Sequence, residues 1–494
     1  MSLTTALNNA QAIFNNTGTQ SSVVSNNIAN AGNTSYSRRQ AVLTTDMAGA
    51  QVVKIERSSE PALQKAYLSS SSSDSAQQLL LNAYSNLQSA TLGGNDNEIS
   101  PATYLSAFQT AMQTYSGSPS STTAAQSAIS AAQSLVTALN NATTAVQSAR
   151  TDADKQISSD VDTLNSLLKQ FQTANDAVKS ATTTAGPTSN ALADALDQRD
   201  SILTQISQIV GVNAVTRGNN DMALYTTSGT TLFETIPRTV TFQPTNSYTA
   251  ADTGNSVYID GVALTPGQGA NTTAQGSLQA ALQVRDDVAP TYQKQLDEIA
   301  RGLVTTFAET DNTDPSNPVM AAGLFTYSGA STWSNGTGPG SATVITGLAG
   351  SITVNSAAVS NPTLLRDGGI NGTNYVVNTS GDSGYSTQLD AYITAMNAKT
   401  GFAASAGSDT NASLMDYASS SIGWLEGQRS TATTAAENTS AALSRSSGAY
   451  SNATGVNLDE ELTLMMDIEQ SYKAGTKILN AVNEMLQSVL DIAS

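Results

Sequence analysis

Residues 120–183 contain neither glycine nor proline. Within them Ile129, Ala132, Val136, Leu139, Thr143 and Val146 recur at spacings of three and four, followed by Ile157, Val161, Leu164, Leu168, Phe171 and Val178. That periodicity predicts one helix of roughly 60 residues, about 90 Å long at 1.5 Å per residue. A helix of that length imposes an elongated molecule on the rest of the chain. Aromatic residues make up only 5% of the sequence, so the core beside the helix is expected to be thin and built from Ala, Leu, Val and Ile.

The two ends carry the same kind of seam. Leu3, Leu7, Ala10, Phe14, Thr17, Ser21, Val24 and Ile28 alternate at four and three, a coiled-coil period. At the other end, Leu458, Leu462, Met465, Tyr472, Leu479, Leu486 and Leu490 lie on one such track. Leu464, Ile468, Ile478, Val482, Met485, Val489 and Ile492 lie on an adjacent one. Two adjacent apolar tracks make a broad face, so this helix is expected to meet more than one neighbour. Asn457 is placed to cap it and Glu460 to bond back to the cap, while Asp459, Glu460 and Glu461 set negative charge at the positive helix end.

Between the ends, 36–57 reads as extended, with strands around Ala41–Leu43 and Val52–Ile55 separated by Met47-Ala48-Gly49-Ala50. Pro61 and Ser100-Pro101 open further helices, broken by the Gly93-Gly94 stretch and by Gly117-Ser118-Pro119. After Gly186-Pro187 a helix runs from about Asn190 to Gly211; residues 212–266 then read as β, 275–310 as helix and 385–450 as helix. Residues 311–384 are Gly/Asn/Ser/Thr-rich, with strand-like runs at Ala342–Ile345 and Ile352–Val354.

The expected fold is mainly α with β insertions, an elongated multi-domain protein. A terminal coiled-coil domain comprises 1–35 plus 456–494. A helical rod comprises 36–311 plus 385–455, with β elements at 36–57 and 212–266. An outer β-rich domain comprises 312–384.

Several functions are disfavoured by residue chemistry. Histidine and cysteine are absent, which removes the commonest metal ligands, nucleophile–histidine pairs and disulfides. The formal net charge is −18, from 21 Lys and Arg against 39 Asp and Glu, so nucleic acid is a poor partner. No apolar run reaches the ~20 residues of a membrane span, and the N-terminus does not read as a conventional secretory signal. Asp197, Arg199 and Asp200 are better read as a helix-surface ion-pair set than as a catalytic cluster. Asp311-Asn312-Thr313-Asp314 lacks the glycine and final glutamate of a calcium loop. Gly336, Gly338 and Gly340, with Pro339 between, do not open a helix and make a poor phosphate loop. No cofactor, metal or enzymatic activity is expected. A carboxylate-only glycosidase stays formally open, as does a coiled-coil surface adhesin.

Asn26-Asn27-Ile28-Ala29-Asn30-Ala31 followed by Tyr36-Ser37-Arg38 resembles the N-terminal signature of bacterial flagellar rod, hook and hook-associated proteins. The Tyr-Ser-Arg ending points to the hook-associated branch. Where that family usually has Pro-Gly before the tyrosine, this chain has Thr34-Ser35, and Arg39 intervenes before Gln40. Three further segments resemble the same branch in order and spacing. They are Leu196–Asp200 with Gln208–Val212, Gly276–Leu278 with Arg285-Asp286, and Gly455–Glu461.

The resemblance implies a structural protein joining hook to filament, with a hook or distal rod protein as the alternative. Its terminal helices would order and pair on assembly. It would be exported from the cytoplasm by the flagellar type III system without a cleaved signal peptide, to lie outside the cell. Implied partners are further copies of itself, the hook protein, a second junction protein on the filament side, a cytoplasmic chaperone on the C-terminal helix and the export apparatus. The residues expected at the assembly interface are Leu3, Leu7, Phe14, Val24, Ile28, Leu458, Leu462, Met465, Ile468, Tyr472, Leu479, Val482, Leu486 and Val489.

Overall fold

The structure, a computed structural model, describes residues 3–46, 49–311, 313, 319–327, 333 and 342–493. The expectations at Met47-Ala48, at Asn312 and Asp314, and at Gly336–Gly340 lie outside these residues.

Helix α1 (Leu3–Ala29) leads into the hairpin β1 (Arg39–Asp46) and β2 (Gly49–Arg57). Then come α2 (Pro61–Leu92), α3 (Pro101–Gly117), α4 (Thr122–Thr184) and α5 (Ala191–Ile209). Sequence signals set these borders. Ser100 and Ser121 accept hydrogen bonds from the backbone N–H groups of Thr103 and Ala124, the usual role of an N-cap serine. Gly93 ends α2 with φ 83°, a left-handed conformation that favours glycine. Helix α4 has 63 residues, as its uninterrupted periodicity predicts.

Two three-stranded sheets follow, β3 (Val212–Thr216), β4 (Met222–Thr226) and β5 (Thr231–Phe233), then β6 (Val240–Thr241), β7 (Tyr258–Ile259) and β8 (Val262–Ala263). The expected helix at 275–310 is α6 (Ser277–Gln283) and α7 (Ala289–Thr306) joined by a π turn, Val284–Val288. Pro290 accounts for the π turn: it has no N–H to donate and its ring crowds the carbonyl four residues back. Glu309-Thr310, read as the end of this helix, is strand β9 and pairs with β10 (Met320–Ala321).

The remainder departs further from the sequence reading. Beyond β11 (Phe325–Thr326), residues 342–345 form no strand. Short helices α8 (Leu348–Ser351), α9 (Ser356–Ser360) and α10 (Leu364–Asp367) dominate, with β12 (Thr353–Val354) pairing β11. The expected helix at 385–450 is interrupted. Helix α11 (Thr387–Asn397) is followed by the pair β13 (Thr400–Gly401) and β14 (Asn411–Ala412), then α12 (Leu414–Thr454) and α13 (Leu458–Ala493). Gly407 at φ 69° turns the chain between the two strands.

Helix α4 is the spine of the rod. Its first half packs in a core with α2, α3, α7, α11 and α12. Leu324, Phe325, Leu348, Ile352, Ala358, Leu365 and Ile370 belong to the same core. The segment expected as an outer domain therefore shares its apolar interior with the helices. The second half of α4 packs with α5, the strands β3–β7 and α6. A polar belt crosses α4 near these two cores. Arg285 on the π turn lies 2.7 Å from Asp154, both almost wholly buried, and Arg150 donates to the carbonyls of Thr249, Asp252 and Arg285. No helix among the described residues is long and apolar enough to cross a membrane.

One carboxylate fastens α8 to α7. Buried Asp297 accepts from the N–H groups of Gly347 and Ala349 at 2.8 and 2.9 Å, and from the Gln293 amide at 3.0 Å. Burial pushes its pKa up to about 6, partly offset by these hydrogen bonds, and neighbouring Glu298 adds to the rise. The folded state thus holds the proton more tightly than the unfolded chain. The resulting stabilisation is full below the unfolded carboxyl pKa and is lost as pH rises through about 6. Asp297→Asn stays neutral throughout. Its stability relative to the parent should therefore rise between pH 4 and 7 in urea titrations, and a constant or falling difference would refute the assignment.

Candidate functional site at the helical joint

Helices α1 and α13 pair antiparallel. Asn27 meets Glu461, Ser21 meets Met465, and Phe14 meets Tyr472 edge-on at 5.1 Å. The seam buries Ala10, Thr17 and Val24 against Ile468, Gly475 and Val482. A Cβ on Gly475 would stand 2.9 Å from the Ile13 side chain, so the helices approach closely there.

The seam runs between the two apolar tracks of α13: Ile468 and Val482 of the second are buried in it, and Met465 and Tyr472 of the first touch α1 from its flank. Of the residues expected at an assembly interface, Val24, Ile468 and Val482 are therefore used inside the chain. Leu3, Phe14, Ile28, Met465 and Leu479 are half-buried on its flank. Leu7, Leu458, Leu462, Tyr472, Leu486 and Val489 are exposed, and so are Met466, Met485 and Leu490. Leu462 is 51% exposed and Leu490 67%. An apolar stripe along α13 thus stays open.

Where the pair meets the rod, the signature residues form a polar clamp. After α1 the chain turns at Asn30, whose N–H bonds the carbonyls of Asn26 and Asn27 at 3.1 Å. The turn brings residues 36–39 back alongside Asn27. The wholly buried Asn27 amide then makes four hydrogen bonds, its full capacity. Its oxygen accepts from the Tyr36 hydroxyl at 2.8 Å and the Arg39 N–H at 3.1 Å. Its nitrogen donates to the Arg39 carbonyl at 2.9 Å and to Glu461 at 3.0 Å.

Glu461, itself fully buried, also receives Arg38 Nε at 2.6 Å. Asn457 caps α13 as expected, accepting from the N–H groups of Asp459 and Glu460 at 3.0 and 3.4 Å. Glu460, expected to bond back to that cap, instead faces Arg38 at 3.7 Å. Ile28 and Ala29 complete the signature on the last turn of α1, half-buried and exposed respectively.

The hairpin carries the clamp into the rod. Arg39 and Arg57 are cross-strand partners. Arg39 bonds Asp194 at 2.6 Å and Asp197 at 3.1 Å. Arg57 bonds Asp197 and Asp200, each at 2.7 Å, and the Ser37 N–H also points at Asp197. Asp197 and Asp200 are therefore inward groups tying hairpin to α5, and not the surface ion pairs the sequence suggests. Arg199 is buried too, but turns to Asn175 and the Asn220 carbonyl.

Burial opposes the charge on Arg39 and Arg57, yet their carboxylate partners hold both guanidinium pKa values above the usual range. Burial pushes the Tyr36 phenol up to about 12, so it remains a neutral donor beneath the Arg39 guanidinium. Sequence reasoning missed Arg39, Arg57, Asp194 and the pairing of Glu461. The one available signal was three arginines at 38, 39 and 57 in a chain with only 21 basic residues.

Residues 85–314 match the family model of the flagellar hook-associated protein FlgK helical domain, and residues 447–492 match that of the flagellar basal body rod FlgEFG protein C-terminal region. One chain thus carries a FlgK-type helical domain and a flagellar rod-type C-terminal region. The clamp joins the two matched regions, with Asp194, Asp197 and Asp200 in the first and Glu461 in the second. Among solved structures it is similar to the flagellar hook junction protein FlgK from Burkholderia pseudomallei, at 21% identity and a TM-score of 0.40. That similarity covers 54% of this chain and 47% of the other, so the chain spans about half the length of that structure. No curated protein sequence matches it.

Proposed function

We propose that this chain is a structural, non-enzymatic junction protein joining the flagellar hook to the filament, outside the cell. The observation that carries the reading is the open apolar stripe on α13, on a chain whose middle matches the hook-associated helical domain. A lone exposed stripe of this length favours burial, since each Leu covered contributes roughly 1.5–3 kcal/mol. Further copies of the chain are the first partners. In such an assembly, 1–35 with 456–494 form the inner shell and the rod lies outside it. The hook protein, a second junction protein on the filament side, an export chaperone covering α13 and the export apparatus complete the proposed partners. A hook or distal rod protein is the second reading, favoured by the rod-protein name of the C-terminal match; the helical-domain match at 85–314 weighs against it.

A strain lacking the chain tests the proposal. Hooks of normal length without filaments, and flagellin lost to the medium, are expected. Missing or overlong hooks would move the chain into the rod, hook or length-control machinery, and intact filaments would overturn the reading.

A further inference from the structure

The loop after α10 carries an asparagine followed by glycine, Asn371-Gly372, and the fold demands both residues. Glu309 on β9 is almost wholly buried and receives this loop. It accepts from the Ile370 N–H at 3.0 Å, the Asn371 N–H at 2.9 Å and the Asn371 side-chain amide at 2.9 Å. The same amide also donates to the Ala322 carbonyl at 2.8 Å. Asn371 thus meets two acceptors with the two N–H groups of its amide, which an aspartate cannot do. Gly372 has φ 115°, a conformation that favours glycine. Asparagine is a thermolabile residue, most of all before glycine, whose nitrogen no side chain shields from reaction. The two structural demands therefore set a labile dipeptide at a fastening point beside Ala322 and Ile370 of the rod core.

We infer that Asn371 is a deamidation site opened by unfolding, and that the reaction there bars the loop from closing again on Glu309. The Gly372 nitrogen bonds to Asn371 Cγ and closes a succinimide ring. The Cγ–Nδ2 bond breaks, and that nitrogen leaves as ammonia with the proton from Gly372. Water then opens the ring at either carbonyl, giving aspartate or isoaspartate. The closed loop opposes the first step at both reacting groups. The Gly372 N–H is held by the Gly369 carbonyl at 3.0 Å, and the Asn371 amide is held by Glu309 and Ala322. Unfolding releases both. In the product a carboxylate stands where the amide stood. It faces the Glu309 carboxylate and the Ala322 carbonyl, with no donor between them and two like charges side by side. Isoaspartate adds a methylene to the backbone as well, which breaks the spacing of the loop.

Incubating the full chain at mildly alkaline pH, folded in buffer and unfolded in guanidinium chloride, tests the site. Trypsin then releases 367–399 as a single peptide, since Arg366 precedes it and Lys399 ends it. Asn374 and Asn378, which precede Tyr375 and Thr379, are internal controls in the same peptide. In the unfolded chain Asn371 should gain one mass unit, with isoaspartate, well ahead of both controls. In the folded chain it should stay at their level. Equal conversion in the two states, or none above the controls in the unfolded chain, would overturn the inference. Asn371→Asp carries the aspartate product from the start, while Asn371→Ala loses the amide without adding charge. By circular dichroism, the guanidinium midpoint of Asn371→Asp should lie below that of Asn371→Ala, or Asn371→Asp alone should fail to fold. A midpoint at or above that of Asn371→Ala would show that the product closes the loop after all.

Discussion

Replacing Leu462 and Leu490 together by aspartate should leave the isolated chain folded and abolish its incorporation into flagella. Both side chains are more than half exposed and lie on the stripe that α1 does not cover. Surface substitutions of this kind change stability by about 0.5 kcal/mol or less. In a contact between copies the same positions would lose roughly 1.5–3 kcal/mol for each leucine, and burying each new carboxylate unpaired would cost more. Leu479 is a poorer probe, because it is half-buried on the flank of the seam and its replacement would disturb the pair itself. Thermal melting and immunoblots of isolated flagella measure the two halves of the prediction. A folded double variant present in flagella at parental amounts would refute it, as would a collapsed melting transition.

The second large effect lies in the segment that reads, in sequence, as an outer β-rich domain. Phe325 is fully buried, with ring centroids 5.6 Å from Phe108 on α3 and 5.3 Å from Phe307 beside α7. Phe307 also packs on Tyr392 of α11 at 4.7 Å. The ring thus stitches β11 to α3 and to the end of α7, and through Phe307 to α11. Phe325→Ala should cost about 3–5 kcal/mol, the usual range for emptying a buried aromatic site. The loss should appear in the helical transition of the rod as well as locally. With Trp424→Phe as background, Trp333 fluorescence follows the segment while far-ultraviolet circular dichroism follows the helices. Coincident shifts are expected. A shift in Trp333 alone would show that the segment folds by itself.

The sequence reveals elements whose signals are local. Helix α4 shows in its unbroken periodicity, α2 and α3 in Pro61, Gly93 and Ser100-Pro101, and the hairpin in alternating apolar runs. It hides elements whose cause is tertiary. Residues 342–370 are held by carboxylates far away in sequence, Asp297 and Glu309, whose acceptance of the Gly347, Ala349, Ile370 and Asn371 N–H groups fixes short helices and turns where composition reads as β. The same holds for the joint. The family signature marks Asn27, Ser37 and Arg38, but the partners that give them work, Glu461 and Asp197, lie more than 150 residues away. On α13 the two apolar tracks are equally visible in sequence; that the seam runs between them, with Gly475 at the close approach to Ile13, shows only in the packing.

The most direct measurement is electron microscopy of a strain lacking this chain, complemented either with the parental chain or with Leu462→Asp plus Leu490→Asp. The parental chain should restore filaments on hooks of normal length. The double variant should leave bare hooks, with flagellin shed into the medium. Full filaments with the double variant would contradict an assembly role for the open face of α13, and hooks of abnormal length in the uncomplemented strain would contradict the junction itself.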